Sequence, residues 1–449
     1  MARIADVIVI GAGLSGLTTA WSLARHDVDG VVLEAKGRVG GRLKNQHVAG
    51  SVVDAGGSWI GPTQRAVCAL VETLTMSPSP QHTEGDTLRI ANGGARRFRG
   101  ETPPLGRWAT VDLGLAMWRL DRAAGRIQGN TAWSGGAAEA LDRQTLGAWL
   151  QRNTVTEGAR FAVELITGAA FGCRADELSL LGFLAHVASA GGLSALAGTR
   201  GAAQDRHIVG GAAAMCDELA RRLGARIHLN TPVRMIDQSQ DFAQISTAAE
   251  QFSAKRGVLA VDPATASRSD HQPDRPARRH TLERTFALGT GIKAHLSYPR
   301  PFWRGAGLSG FSCADDGAAP MTFDVSPPDG AGILMIFTNL DGSAERRRAA
   351  VVDELATRFG DQARAPTDYA EQNWAHESFQ SGCVPRWSPG VITAAQDAFT
   401  RPVGVLHFAG AETSTIWEGH MEGAVRSAER VVSELVRALL LPAAAAPTR

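Results

Sequence analysis

The sequence predicts an α/β fold in which a parallel-sheet domain is interleaved with a second, α+β domain. Three observations carry this. A strand, a glycine-rich turn and a helix follow one another at the start of the chain; related elements return over 207–262 and 405–435; and the stretches between, one helical and one strand-rich, lack that pattern.

The first element is the apolar run 6–10, short enough for a buried parallel strand. Gly11-Ala-Gly13-Leu-Ser15-Gly16 follows, then apolar Leu17, Ala20, Trp21 and Ala24 at helical spacing. Gly11 permits a tight turn, Gly13 lets a pyrophosphate approach the backbone, and Gly16 allows close packing of helix on strand. The helix start, with Ser15, offers unpaired N–H groups to phosphates. A second apolar run, 31–33, ends in Glu34, eighteen residues past Gly16, with Lys36 just beyond. A carboxylate there can accept hydrogen bonds from ribose hydroxyls. Strand, glycines, helix, strand and acid in register make a Rossmann-type dinucleotide site.

Downstream, 88–90 and 97–98 around Asn92-Gly93 read as a hairpin. From 105 to 196 the pattern is mainly helical, as at 146–150 and 161–170, and Trp108, Trp118, Trp133 and Trp149 read as core aromatics. His207 to Gly211 leads into a helix bearing Met215, Leu219 and Leu223 and ended by Gly224; strands follow at 226–229, 233–237 and 257–261. The polar stretch 268–280, rich in arginine and broken by Pro273 and Pro276, reads as an exposed linker rather than an anion site. A strand-rich excursion occupies 281–384, and the chain closes with a strand at 405–408, Gly410-Ala-Glu412-Thr and a long helix. The expected bounds are 1–76, 205–280 and 385–440 for the discontinuous cofactor domain, 77–204 and 281–384 for the second domain, and 441–449 for a tail.

Composition narrows the function. Lys and Arg total 46 against 45 Asp and Glu, a net charge of +1. That argues against nucleic acid or an anionic membrane as main partner. Five scattered cysteines lack any zinc-like or disulfide-like spacing, so no metal is expected and a reducing cytoplasm is the simpler location. No signal peptide or spanning segment is evident. A homodimer is compatible with the sequence. Tyrosine is scarce: only Tyr298 and Tyr369.

Two further motifs identify the dinucleotide. Gly37-Arg-Val-Gly40-Gly41-Arg42 and Asp54-Ala-Gly56-Gly57-Ser58-Trp59-Ile-Gly61 resemble the second glycine motif of the flavin amine oxidase family, which includes the monoamine oxidases. The resemblance extends in order over 6–65, 204–237, 286–303, 371–383 and 405–437. It implies an FAD-binding Rossmann-type (GR2-like) domain with an interleaved α+β substrate domain. It also implies that Gly41 and Arg42 meet the FAD pyrophosphate and that Gly57, Ser58 and Trp59 pass along the flavin. By the same resemblance Val233 meets the adenine, Gly410 and Glu412 contact the cofactor, and Met421 supplies a backbone donor to the flavin O2 side. Lys293 resembles the lysine set near flavin N5 through a water, and burial would lower its pKa. Trp374 resembles the tryptophan packed near the isoalloxazine. Cys383 falls where some members carry a thioether to the flavin; a noncovalent site is the favoured expectation.

The pattern departs from the family at the substrate. Classical members place two aromatic side chains, usually tyrosines, against the flavin. The second position falls on His420, and the first on Val384 or Cys383 according to alignment, so neither is tyrosine. His420 either stacks on substrate or serves as acid or base. Phe171, Cys173, Gln204 and Phe323 are pocket candidates by position, with packing roles at least as well supported. The resemblance implies oxidation of a C–N bond of a small amine or amide by hydride transfer to flavin N5, with O2 reoxidation giving hydrogen peroxide. The altered cage suggests an unusual, secondary-metabolite substrate. A flavin C–C desaturase and a flavin-binding protein with reduced catalysis are the alternatives.

Overall fold

A computed structural model describes residues 5–91, 93–100, 102–127, 135–328, 330–380 and 382–440. Trp133, Asn92, Ser381 and the 441–449 tail lie outside the described residues. The chain divides into two compact units: 1–41, 215–285 and 394–449 in the first, 42–214 and 286–393 in the second.

The first unit is built on an eight-stranded sheet among the described residues. Its parallel part runs Ile227–His228, Gly30–Leu33, Ala5–Ile10, Gln251–Leu259 and Leu406–Phe408. An antiparallel extension adds Ala243–Ser246 and Met235–Asp237. Parallel strands covered on both faces need near-continuous apolar sequence, and Val7 to Ile10 are all buried. Their core includes Ile8, Leu33, Ile245, Leu259, Leu406 and Phe408. The Leu14–Ala24 helix is pinned to the long Met421–Leu440 helix by a 2.7 Å hydrogen bond between the Ser15 and Ser427 hydroxyls. Val425, Ala428, Val431 and Leu435 form the buried stripe of that last helix.

The arginine-rich stretch 268–280 is mostly exposed, as expected, but it is built into the fold rather than a bare linker. It contributes the strand Asp270–Gln272, parallel to Met235–Asp237, and begins the helix Ala277–Thr285. Arg279 and Glu283, four residues apart on that helix, are buried together with Nε to Oε1 at 2.6 Å, and Arg275 also pairs with Glu283. The Arg279 guanidinium lies 3.8 Å from the Phe408 ring centroid. Pairing and ring contact let the charge be buried, which composition alone does not reveal.

The second unit carries a seven-stranded sheet in the order Asp368–Asn373, Ile292–Tyr298, Gly332–Thr338, Met321–Asp324, Leu308–Ala314, Asp86–Ala91 and Gly94–Phe98. The last two strands are the expected hairpin, paired antiparallel from Thr87↔Phe98 to Ala91↔Gly94. Its core gathers Leu88, Leu296, Tyr298, Trp303, Leu334, Val351 and Leu355. The helical stretch includes Arg107–Ala124, Leu146–Asn153, Glu157–Phe171 and Leu180–Ala190. Thr156 caps the third by accepting from the Ala159 N–H, and left-handed Gly172 (φ 58°) ends it.

One expectation needs correction here. Trp108 and Trp118 are not core residues: they are 83% and 59% exposed. The Arg107–Ala124 helix buries Ala109, Leu113, Ala116, Leu120 and Ala124, which lie on the opposite face. Trp149 is half-buried. Residues 42–76, 205–214 and 385–393 cluster with the second unit. Val48 and Val53, on the hairpin Asn45–Val48 and Ser51–Asp54, pack against Ile333 of the large sheet, which draws that segment in.

Candidate active site

In the first unit the glycine turn forms a backbone cradle. Gly11 has φ 105°, and a Cβ there would meet the Ala260 carbonyl oxygen at 2.9 Å. A Cβ at Gly16 would fall 2.0 Å from the Gly11 carbonyl oxygen, so helix and strand touch at bare backbone. Gly13 is different: a Cβ there would meet nothing within 4 Å, and the residue is the N-cap of the Leu14–Ala24 helix without a side-chain acceptor. Open space over uncapped N–H groups suits an anion. Glu34 is buried at the end of its strand, its Oε2 accepting from the Ala12 N–H (2.7 Å) and its Oε1 from the Lys36 N–H (2.9 Å). The carboxylate is thus fixed beside the turn. Gly41 sits against Gly13, its would-be Cβ 3.2 Å from the Gly13 Cα.

The C-terminal elements of the same unit join this cradle. The Gly410 N–H donates to both the Ser15 and Ser427 hydroxyls, at 3.0 and 3.1 Å. Ser15 is therefore committed to an internal bridge as well as standing at the helix start. Glu412 is buried in a short 3-10 turn, and Val233 packs against the parallel core. Met421 begins the last helix, and His420 precedes it. His420 Nδ1 donates to the Glu418 carbonyl at 2.9 Å, which leaves the lone pair of the neutral ring on Nε2. Its ring meets Trp417 edge-on at 5.0 Å.

The second unit places Lys293 in its interior, 4% exposed on the Ile292–Tyr298 strand. Nζ donates to the Gly56 carbonyl at 2.8 Å and to the Ser58 hydroxyl. It also lies 5.5 Å from the Trp59 ring centroid and 5.8 Å from that of Phe337. Burial pulls its pKa down to about 8, against the opposing pull of Asp54 and Cys383. Trp374 is buried with Nε1 donating to the Ala55 carbonyl at 2.9 Å. A Cβ at Gly56 would strike the Arg42 carbonyl at 2.0 Å and the Trp374 ring at 3.0 Å. The 54–58 loop thus lies between Arg42, Trp374 and Lys293, and only glycine fits at position 56.

Arg42 Nη1 donates to the Cys383 carbonyl at 3.2 Å, and the Cys383 N–H donates to the Gly289 carbonyl. Val384 begins the strand Val384–Arg386, paired with Ala287–Gly289. Residues 171–173 turn against Gly289, where a Cβ would meet the Phe171 carbonyl oxygen at 1.8 Å. Phe171 is fully buried on His186 and Phe183, and Cys173 is buried beside it in sequence. The Phe323 ring is tilted against Trp59, with centroids 5.1 Å apart. Gln204 is half-buried, in a loop whose Ala202 carbonyl abuts Gly61. Among the described residues no disulfide joins the five cysteines.

Sequence reasoning missed the charged and polar neighbours of Lys293. Asp54, buried, accepts from the Ala212 N–H at 2.7 Å; burial pushes its pKa up to about 6, against Lys293 and that hydrogen bond. His295 is two positions from Lys293 and hence on the same strand face. It is buried with Nδ1 unpartnered, and its pKa falls well below the ordinary value through burial and the nearby Lys293 and His207. His207 Nε2 bonds the Gln81 Oε1 at 2.5 Å, and the Trp59 Nε1 donates to the same oxygen at 2.8 Å. The available signal for Asp54 was an acid closing a strand before Gly56-Gly57. For His295 it was the period of two from Lys293.

Tyr298 and Tyr369 are both engaged internally. The Tyr298 hydroxyl donates to the Ala363 carbonyl within the core, and the Tyr369 hydroxyl to Glu371 Oε2.

The fold and these motifs define an FAD-type dinucleotide cradle in the first unit and a buried lysine against a glycine loop in the second. The profile of the flavin containing amine oxidoreductases matches residues 14–436. The chain is 36% identical over 446 residues to "Putative flavin-containing monoamine oxidase AofH" of Mycobacterium tuberculosis, covering 97% of each. It is 32% identical over 454 residues to the flavin-containing amine oxidase A of Canis lupus familiaris, covering 97% of this chain and 85% of the other. Among solved structures it resembles wild-type putrescine oxidase bound to putrescine, with TM-score 0.92, 28% identity and coverage of 97% and 100%. It likewise resembles cyclohexylamine oxidase from Brevibacterium oxydans IH-35A, with TM-score 0.93, 29% identity and coverage of 97% and 100%. The chain belongs to the flavin-containing amine oxidase family. It is an FAD-using oxidoreductase acting on amines, and its glycine cradle and fixed Glu34 fit that cofactor.

Proposed function

We propose that this enzyme oxidises the C–N bond of a small amine whose binding does not rely on a tyrosine pair. The observation that supports it most is Lys293, buried and held by Gly56 and Ser58 in the stretch that the family motif assigns to the flavin. Bound FAD supplies the redox chemistry, accepting a hydride equivalent from the carbon next to nitrogen and passing electrons to O2 to give hydrogen peroxide.

The protein's own residues bind, orient and handle protons. The N–H groups behind Gly13 and the Arg42 guanidinium take phosphate charge, Glu34 takes ribose hydroxyls, and Val233 takes the adenine by its backbone. Gly41, Gly57, Ser58, Trp59, Trp374 and Cys383 line the flavin's course, with Gly410, Glu412 and Met421 as further contacts. The cofactor is held noncovalently. Lys293, whose pKa burial lowers to about 8, is mainly an ammonium at neutral pH and donates to Ser58. Asp54 keeps that ammonium from losing its charge lower still. His420, with its lone pair on Nε2, accepts a proton from the substrate ammonium so that oxidation starts from the free amine. Phe171, Cys173, Gln204, Phe323 and Val384 shape the apolar part of the substrate space.

Without tyrosines at the cage positions, selectivity shifts toward substrates recognised by an imidazole and an aliphatic or thiol side chain. A panel of monoamines, diamines including putrescine, cyclic amines including cyclohexylamine, and amides tests this by peroxide release. Turnover of at least one nitrogen compound is expected; none across the panel overturns the reading.

A further inference from the structure

We propose that the outer face of the Arg107–Ala124 helix is a docking ridge for an anionic lipid surface. Trp108, Val111, Leu115 and Trp118 recur at intervals of three, four and three, which puts them on one helical face. All four are exposed, from 49% at Leu115 to 83% at Trp108. The opposite face is already used: Ala109, Leu113, Ala116, Leu120 and Ala124 are buried. This helix is apolar on both sides, and one side has no partner among the described residues.

Charge selects the occupant. The helix has two acids, and both are spent inward. Asp112 Oδ2 accepts from the Val155 and Thr156 N–H groups and the Thr156 hydroxyl, and Asp121 Oδ1 accepts from the Leu193 N–H. Its exposed charges are all arginine, Arg107, Arg119 and Arg122. The Arg122 guanidinium lies 5.6 Å from the Trp118 ring centroid, so a cation sits at one end of the stripe. Val155, 88% exposed and tied to Asp112 by its N–H, widens the apolar area beside it.

The stripe is about 15 Å long from Trp108 to Trp118 and one helix wide. Two copies joined through it would set arginine against arginine. A lipid headgroup layer instead offers phosphates to the guanidinium groups and acyl boundary to the indoles, the depth at which tryptophan partitions. Among the described residues no helix is long and apolar enough to cross a membrane, so the ridge rests on the surface rather than spanning. The whole-chain charge of +1 argued against this partner, but a lipid surface meets one face, not the sum.

Co-sedimentation of the full-length holoenzyme with vesicles of equal phosphatidylglycerol and phosphatidylcholine, against phosphatidylcholine alone, tests the proposal. The enzyme is expected to bind the anionic vesicles preferentially, and less at high salt. W108S/W118S should bind at least about tenfold more weakly, and R107Q/R122Q should lose the anionic preference, each with an unchanged flavin spectrum. Equal binding to both vesicles, no binding, or undiminished binding by W108S/W118S would overturn it. Light scattering that shows a dimer made monomeric by W108S/W118S, without vesicle binding, would assign the ridge to a second copy and also overturn it.

Discussion

The two units organise their functional residues by opposite means. In the first, the cradle is backbone: Gly11, Gly13 and Gly16 set its shape, and the fixed Glu34 is the main charged side chain. In the second, the equivalent work falls to polar side chains around the Gly56 loop, the buried Lys293, Asp54 and His295 and the half-buried His207. Bare backbone tolerates no added atoms but needs no protonation state. Buried charges tolerate shape changes but stand close to their titration points. The units should therefore break differently, one through sterics and the other through pH.

The largest effect is expected at Gly16. Gly16→Val places branched carbon on the Gly11 carbonyl, a backbone contact that cannot yield, and should cost more than about 4 kcal/mol. Little folded, yellow protein should survive gel filtration. Gly13→Ala sharpens the contrast, because its Cβ meets nothing. That variant should unfold at the same temperature as the unaltered enzyme yet bind FAD more weakly, by calorimetric titration of the apoprotein.

Next comes Lys293→Met, for which flavin reduction by the best amine should slow by about a hundredfold. Thermal stability should also fall, since the Gly56 carbonyl and Ser58 lose their donor and buried Asp54 loses its opposite charge.

Asp54→Asn tests the pH side. Asp54 raises the Lys293 pKa, so its removal should move the lysine's midpoint below about 8 and shift the pH dependence of flavin reduction the same way. Stability moves with definite sign. The Asp54 pKa is higher folded, about 6 against 3.8, so its favourable contribution exists at low pH and is lost as pH rises through 6. The Lys293 pKa is lower folded, so its contribution exists at high pH and is lost as pH falls through 8. Neither helps between those values, and Asp54→Asn should raise the melting temperature most clearly above pH 6.

The smallest effect is at Ser427→Ala. It removes one acceptor from the Gly410 N–H and one partner from Ser15, while the other hydroxyl remains, so about 1 kcal/mol of stability should be lost in denaturant titration.

The same contrast explains what the sequence could reveal. Backbone devices are legible because only glycine serves them: Gly11, Gly13, Gly16, Gly56 and the acid at Glu34 can be placed from the sequence alone. Apolar periodicity likewise located the first strand, the hairpin and the last helix. Burial of polar residues was not legible. Arg279, in a stretch expected to be exposed, is buried through its pairing with Glu283 along the helix and the ring beneath it. Asp54 and His295 became visible only when the strands brought them to Lys293. The opposite error befell Trp108 and Trp118, since size and apolarity predict burial only on average.

The most direct test of the central claim, C–N oxidation with Lys293 at the flavin, is anaerobic rapid mixing of the holoenzyme and Lys293→Met with the amine panel. The flavin absorbance of the unaltered enzyme should bleach with at least one amine and return on admitting O2 with peroxide released. Lys293→Met should retain its flavin and bleach or recover far more slowly. Failure of every nitrogen compound to bleach the flavin, or identical rates in the two proteins, would contradict the account.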